Sequence, residues 1–172
     1  MARDPLSDPG PLIRRVYAYV AYRIGDGAEA EDVTSETFER ALRYRSSYDP
    51  RRGEPVSWLI GIARRCIEGA RLRPEPFEHR DDTPDTLDVE AETVERVTLA
   101  QAVDLLDERD RELIALRYGS DLSARQIGEL LELRTNAVEV ALHRALARLR
   151  KLLEGEDEHQ TEARLRERPS TL

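Results

Sequence analysis

Residues 73–92 read RPEPFEHRDDTPDTLDVEAE, a stretch from which no stable core can be built. It carries eight acidic and two basic side chains, three prolines and few apolar residues. Such a composition cannot bury enough surface to offset the entropy lost on ordering. The stretch therefore divides the chain. Residues 1–72 carry twelve basic and eleven acidic side chains, residues 93–154 ten and eleven, and the tail from Gly155 three and five. The formal charge of −8 sits almost wholly in the connector and the tail, beside two nearly neutral modules. Net acidity of this kind does not exclude nucleic acid, because binding depends on the local patch. The expected organisation is a first module over 1–73, a flexible acidic linker over 74–92, a second module over 93–154 and a disordered tail over 155–172.

Both modules are expected to be helical, giving an all-α chain of two small helical domains. Aromatic residues make up 5% of the sequence and charged residues 36%, with Ala, Leu, Glu and Arg abundant. Strands favour β-branched and aromatic residues instead. No apolar run approaches the roughly 20 residues that span a bilayer, and the opening MARDPLSDPG lacks the apolar core of a signal peptide. The single cysteine, Cys66, fits a reducing compartment. The expected location is the cytoplasm, without membrane insertion.

Three helices are legible in the first module. Leu12, Ile13, Val16, Tyr17, Val20 and Ile24 share one helical face, and Gly25 to Gly27 stops the run. In AEAEDVTSETFERALRYR, the positions Ala30, Val33, Thr37, Phe38, Ala41 and Leu42 face inward. Asp32, Ser35, Glu36, Glu39, Arg40 and Arg43 are left on an outer face free for a partner. A third helix begins near Pro55 and runs through Val56, Leu59, Ile60, Ala63 and Ile67. Between the second and third lies RYRSSYDPRRGEPVSW, where Arg43, Arg45, Arg51 and Arg52 alternate with Tyr44, Tyr48 and Trp58. Alternating cations and rings suit single-stranded nucleic acid, since arginines neutralise phosphates and every base has a face to stack. The same residues also fit a solvated helix end whose rings pack on the core.

The second module is punctuated more sharply. A helix bearing Val97, Leu99, Ala102, Val103, Leu105 and Leu106 leads to Asp107, placed to cap the next, which ends at Gly119. Ser123 with Gln126 makes a capping box ahead of Ile127, Leu130 and Leu131. After the short turn ELR, Thr135 is placed to cap a long helix, and two helices so tightly joined form a helix-turn-helix. The outer face of the last helix carries Arg134, Thr135, Asn136, Glu139, Val140, His143, Arg144 and Arg148. Its N-terminal end is the one that enters a major groove in this motif, where Arg and Asn read base edges and Glu139 would accept from a cytosine amino group. An ordinary solvated amphipathic helix has the same pattern.

Catalysis finds no support, and no cofactor is expected. His79, His143 and His159 are scattered, Cys66 is the sole cysteine, and no phosphate-binding or nucleophile-elbow motif occurs.

Two segments in order carry a family resemblance. AEDVTSETFERAL resembles the conserved region 2 segment of extracytoplasmic-function (ECF) sigma factors of bacterial RNA polymerase, and SWLIGIARRC resembles the signature that follows it. LDERDRELIALRYGSDLSARQIGELLELRTNAVEVALHRALARLRKLL is similar to their region 4. The resemblance implies a transcription initiation factor of the sigma-70 family, with core RNA polymerase, through its β′ clamp helices and β flap, and promoter DNA as partners. An anti-sigma factor is implied as a further partner. It implies that Arg43, Arg45, Arg51, Arg52, Arg64 and Arg65 meet phosphates of the melting minus-ten element, where Tyr44, Tyr48 or Trp58 stack. It implies that Asp32, Ser35, Glu36 and Arg40 meet the polymerase. It also implies that Arg134, Thr135, Asn136, Glu139, Val140, His143 and Arg144 face the minus-thirty-five element. The sequence departs from the family pattern at Ser35, Arg65, Gly69, Glu132 and Glu139. Two alternatives stay open: a sigma-like decoy that sequesters an anti-sigma factor, and a dimeric helix-turn-helix repressor.

Overall fold

The computed structural model describes residues 4–72 and 99–166, with side chains as far as Gly155. The expected linker over 74–92, with His79, lies outside the described residues, as does the side chain of His159. The architecture is all-helical: α1 (Pro9–Ile24), α2 (Ala28–Arg43), α3 (Pro55–Arg71), α4 (described over 99–104), α5 (Glu108–Ile114), α6 (Ala124–Leu131) and α7 (Thr135–Arg166). Among the described residues, no helix is long and apolar enough to cross a membrane.

Local chemistry sets most of the boundaries. Proline stands in the first turn of α1 and of α3, where its missing N–H costs nothing. Gly25 ends α1 at φ 94°, a conformation that a side chain would strain. Asp107 accepts from the Asp110 N–H at 2.8 Å, and Ser123 and Gln126 form the reciprocal capping box. α7 begins at Thr135, so the position before the helix belongs to Arg134 rather than to Thr135 as the sequence suggested. Its backbone stays helical past Gly155 to Arg166, into the segment read as a disordered tail.

α1, α2 and α3 pack on one another, and α5, α6 and α7 form the second bundle. The two bundles also pack together. One continuous core joins Val16, Tyr19 and Val20 of α1 and Leu59, Ile60 and Ile67 of α3 to Leu113, Leu116, Leu122, Ile127 and Val138. Burial of side chains of this size stabilises by about 1.5–3 kcal/mol each. A second cluster joins Ala102, Val103, Leu106, Ile114, Ala145 and Leu149. The buried hydroxyls of Thr34 and Thr37 donate to the carbonyls of Ala30 and Val33, each at 2.7 Å, so α2 loses nothing by covering them.

Docking explains where the single-face reading of the helices departs from the fold. α1 lies between α2/α3 on one side and the second bundle on the other, so Tyr19 and Arg23 are buried although neither belongs to its apolar stripe. Ile13 and Leu42, expected inside, are exposed, as are Leu99 and Leu105. Beyond α5 the chain makes one π-helical turn, Ala115–Gly119, closed by the Ser120 N–H on the Ala115 carbonyl at 3.0 Å. This turn brings Gly119 so near α1 that a Cβ there would lie 2.9 Å from the Tyr19 nitrogen and 3.0 Å from the Ala18 carbonyl. Arg15 then donates to the freed carbonyls of Ser120 (2.8 Å) and Asp121 (3.0 Å).

Candidate nucleic-acid interface

The arginine–tyrosine stretch starts where α2 ends. Tyr44 caps α2 and is 55% exposed, and Arg45–Ser47 makes a single 3-10 turn. Tyr48 is half-buried, its hydroxyl donating to the Gly53 carbonyl at 3.0 Å and its ring centred 5.5 Å from that of Trp58. Burial, then the charges of Glu54 and Asp49, push its phenol up, so Tyr48 remains a neutral donor. Trp58 packs against the core. The two readings of the stretch thus divide by residue: Trp58 follows the structural one, while Arg43, Tyr44, Arg45, Arg51 and Arg52 are exposed. Arg51 is held 3.2 Å from Asp49, and Arg45 lies 3.9 Å from Asp4. Arg65, exposed on α3, lines a recess of about 280 Å³ together with Tyr48, Arg52 and Trp58. Arg64 turns away from this group, its Nε 3.0 Å from Glu112 Oε1.

On the outer face of α2, Asp32 and Ser35 are exposed, and Glu36 pairs with Arg40 at 2.6 Å. This i,i+4 pair shows both signs of charge to solvent on one helical face.

The helix-turn-helix is α6 and α7. Glu132 takes the left-handed conformation (φ 57°, ψ 39°), and the Leu133 N–H closes on the Gly128 carbonyl at 2.8 Å. A Cβ on Gly128 would stand 2.7 Å from the Leu133 carbonyl oxygen, so the turn needs glycine there. Arg134, Thr135, Asn136, Glu139, Val140, His143 and Arg144 are all exposed in a row from the start of α7. Arg148 does not continue the row as a free cation, because it pairs with the buried Asp110 of α5.

A further polar cluster lies between the bundles. Glu112, buried on α5, accepts from Tyr19 Oη at 3.0 and 3.1 Å and faces Arg23 Nε at 2.6 Å and Arg64 Nε at 3.0 Å. Burial, then the Glu112 charge, pushes the Tyr19 phenol far up. Glu108 faces Arg71 and Arg23, whose hydrogen bonds hold its carboxyl below the usual range. Arg15, Tyr19, Arg23 and Arg71 escaped the reading of the sequence. For Tyr19 and Arg23 the signal was their spacing, four apart on α1 and beside rather than on its apolar stripe. Among the described residues, no group of three or more His, Cys, Asp or Glu is placed to hold a metal ion.

Residues 11–71 match the family model for sigma-70 region 2, and residues 96–149 match that for sigma-70 region 4. The ECF RNA polymerase sigma factor SigD of Mycobacterium tuberculosis is 32% identical over 168 residues, covering 86% of this chain and 74% of SigD. The chain belongs to the ECF sigma-factor family. The ECF sigma factor BldN of Streptomyces coelicolor is 30% identical over 148 residues, 80% of this chain and 56% of BldN, so this family member spans little more than half of that relative. Among solved structures, CnrH in complex with the cytosolic domain of CnrY is similar at a TM-score of 0.60 and 25% identity, over 84% of this chain and 81% of that one. RpoE in complex with the anti-sigma factor NepR from Bartonella quintana shares the fold at a TM-score of 0.62 and 18% identity, over 83% and 92%.

Region 2 of this ECF sigma factor therefore comprises α1 to α3, and region 4 comprises the helices from α4 onward. At the departure from the family pattern in the turn, Glu132 holds a backbone conformation that costs a non-glycine residue about 1–2 kcal/mol. Glu132→Gly is expected to stabilise region 4 by about 1 kcal/mol net of the added chain entropy. The denaturation midpoint of the full chain measures this, and an unchanged or lowered midpoint would contradict it.

Proposed function

We propose that this protein directs bacterial RNA polymerase to specific promoters and assists their opening, acting in the cytoplasm as a binding subunit without chemistry of its own. The observation that carries the reading is the exposed row on α7, with Arg134, Thr135 and Asn136 at the helix start. There, side chains reach base edges, and backbone N–H groups favour a phosphate. Region 4 reads the minus-thirty-five element with this row and meets the β flap. Region 2 takes the non-template strand of the minus-ten element along Arg43, Tyr44, Arg45, Tyr48, Arg51, Arg52 and Arg65. Trp58 supports the floor of that recess, and Arg64 adds a phosphate contact once released from Glu112. Asp32, Ser35, Glu36 and Arg40 meet the β′ clamp helices. The complexes formed by CnrH and by RpoE support an anti-sigma factor as a partner here too.

The test is holoenzyme binding to a set of single-base promoter variants at two salt concentrations. Arg134→Ala and Asn136→Ala are each expected to relax preference at one or two positions of the minus-thirty-five element, costing about 1–3 kcal/mol for each bidentate pairing with a base that is removed. Arg148→Ala is expected to leave both base preference and salt slope alone and to destabilise region 4, since it leaves Asp110 buried without its cation. A base-preference profile unchanged by Arg134→Ala and Asn136→Ala would show that α7 does not read the promoter.

A further inference from the structure

Val138, Leu142, Ala145 and Leu149 of α7 are buried, and Asn136, Val140, His143 and Ala147 stand exposed on the opposite side of the helix. Asn136, Glu139, Val140 and His143 repeat the i, i+3, i+4, i+7 spacing with which a recognition helix presents side chains to successive base edges. Two of these four are unusual on a helix that meets a polyanion. Val140 is apolar and 51% exposed. Glu139 is an exposed carboxylate with no ion-pair partner among the described residues, whereas Glu36 pairs with Arg40 and Glu129 with Arg125 at i,i+4 spacing. At that spacing Glu139 has only Thr135 and His143 as neighbours. We infer that Glu139 and Val140 set the sequence that α7 accepts, Glu139 requiring a cytosine and Val140 a thymine in the neighbouring base pair.

The chemistry of the groove supports this assignment. An ionised carboxylate only accepts hydrogen bonds. Brought among phosphates, it is repelled unless a donor meets it, and the major groove offers donors only at the amino groups of cytosine and adenine. Adenine sets its N7 acceptor beside the amino group, an edge that fits the amide of Asn or Gln, whereas cytosine presents the amino group without an acceptor on the same base. Glu139 therefore discriminates by rejection as well as by attraction, since guanine and thymine turn acceptors toward it. Val140 has no polar side-chain atom, and the apolar group that the groove offers is the thymine methyl. It follows Glu139 by one residue, a rise of about 1.5 Å along the helix, so the two reach neighbouring base pairs.

The inference rests on the reading of α7 as the promoter-reading helix, and the test separates the two. Holoenzyme reconstituted from the full-length chain and core polymerase is used to select from a random duplex DNA library, and the bound duplexes are sequenced. The wild-type chain is expected to enrich cytosine at one position of the upstream element. Glu139→Gln is expected to move that single position to adenine, changing the preference by about tenfold or more. Deoxyuridine in place of the adjacent thymine removes only the methyl group. It is expected to weaken wild-type binding about fourfold, the worth of one buried methyl, and to leave Val140→Ser unaffected. A defined wild-type element that Glu139→Gln leaves unchanged, while Asn136→Ala blurs one of its positions, would overturn the inference and keep the promoter reading. Equal wild-type affinity for the thymine and deoxyuridine duplexes would overturn the part assigned to Val140. Wild-type holoenzyme that selects no sequence at all would remove both readings.

Discussion

Replacing Glu112 by alanine is expected to lower the stability of the docked chain by about 3 to 5 kcal/mol, the cost of removing one partner from a buried ion pair. Glu112 is buried and serves three groups at once, the Tyr19 hydroxyl and the Arg23 and Arg64 guanidinium groups. Its loss leaves Arg23, itself buried, with the Glu108 carboxylate and carbonyl at 3.3 Å as its remaining partners among the described residues. Glu112→Gln keeps the shape and an acceptor for Tyr19 but loses the charge, so its cost should fall between those of wild type and alanine. Denaturant unfolding of the three chains followed by circular dichroism checks the order. A midpoint for Glu112→Ala equal to that of wild type would mean that the cluster contributes nothing to the fold.

How much of this was legible in the sequence depended on whether a residue's role was local. Asp107, the Ser123–Gln126 capping box and Pro55 act on the nearest turn of backbone, and each stands where its chemistry predicts. The row on α7 was legible for the same reason, since helical spacing alone puts Arg134 to Arg144 opposite Val138, Leu142 and Ala145. The docking was not legible. A period of 3.6 marks one apolar face, whereas α1 is covered on two, and the second cover is polar: Tyr19 and Arg23 meet Glu112 across a separation of about ninety residues. Gly119 read as a helix stop for the same reason, although its lack of a side chain also serves the approach to α1. Arg64 and Arg148 read as solvent-facing cations, and each has a carboxylate partner on α5 that no local pattern announces.

The double change Glu36→Arg with Arg40→Glu is expected to lower affinity for core polymerase by more than about 100-fold. Both side chains sit on the outer face of α2 and pair with each other at 2.6 Å. Exchanging them preserves an i,i+4 ion pair, so the helix itself should change by no more than about 0.5 kcal/mol. A surface complementary to the original order of charges would then meet like charge at both positions. Surface plasmon resonance on immobilised core enzyme, with circular dichroism to confirm the fold, gives the answer. Unchanged affinity in a folded double variant would move the polymerase-binding surface away from α2.

If this chain confers promoter specificity on RNA polymerase, transcription from mixed DNA will reveal it. Core polymerase, with and without the full-length chain, is supplied with genomic DNA of the organism that encodes it, and the 5′ ends of the transcripts are mapped. Discrete starts are expected that appear only with the chain and share two upstream sequence elements at fixed spacing. Arg134→Ala and Asn136→Ala are expected to degrade the upstream element while leaving the downstream one intact. Core enzyme that binds the chain yet starts at no defined sites would rule out promoter specificity and favour a sigma-like decoy.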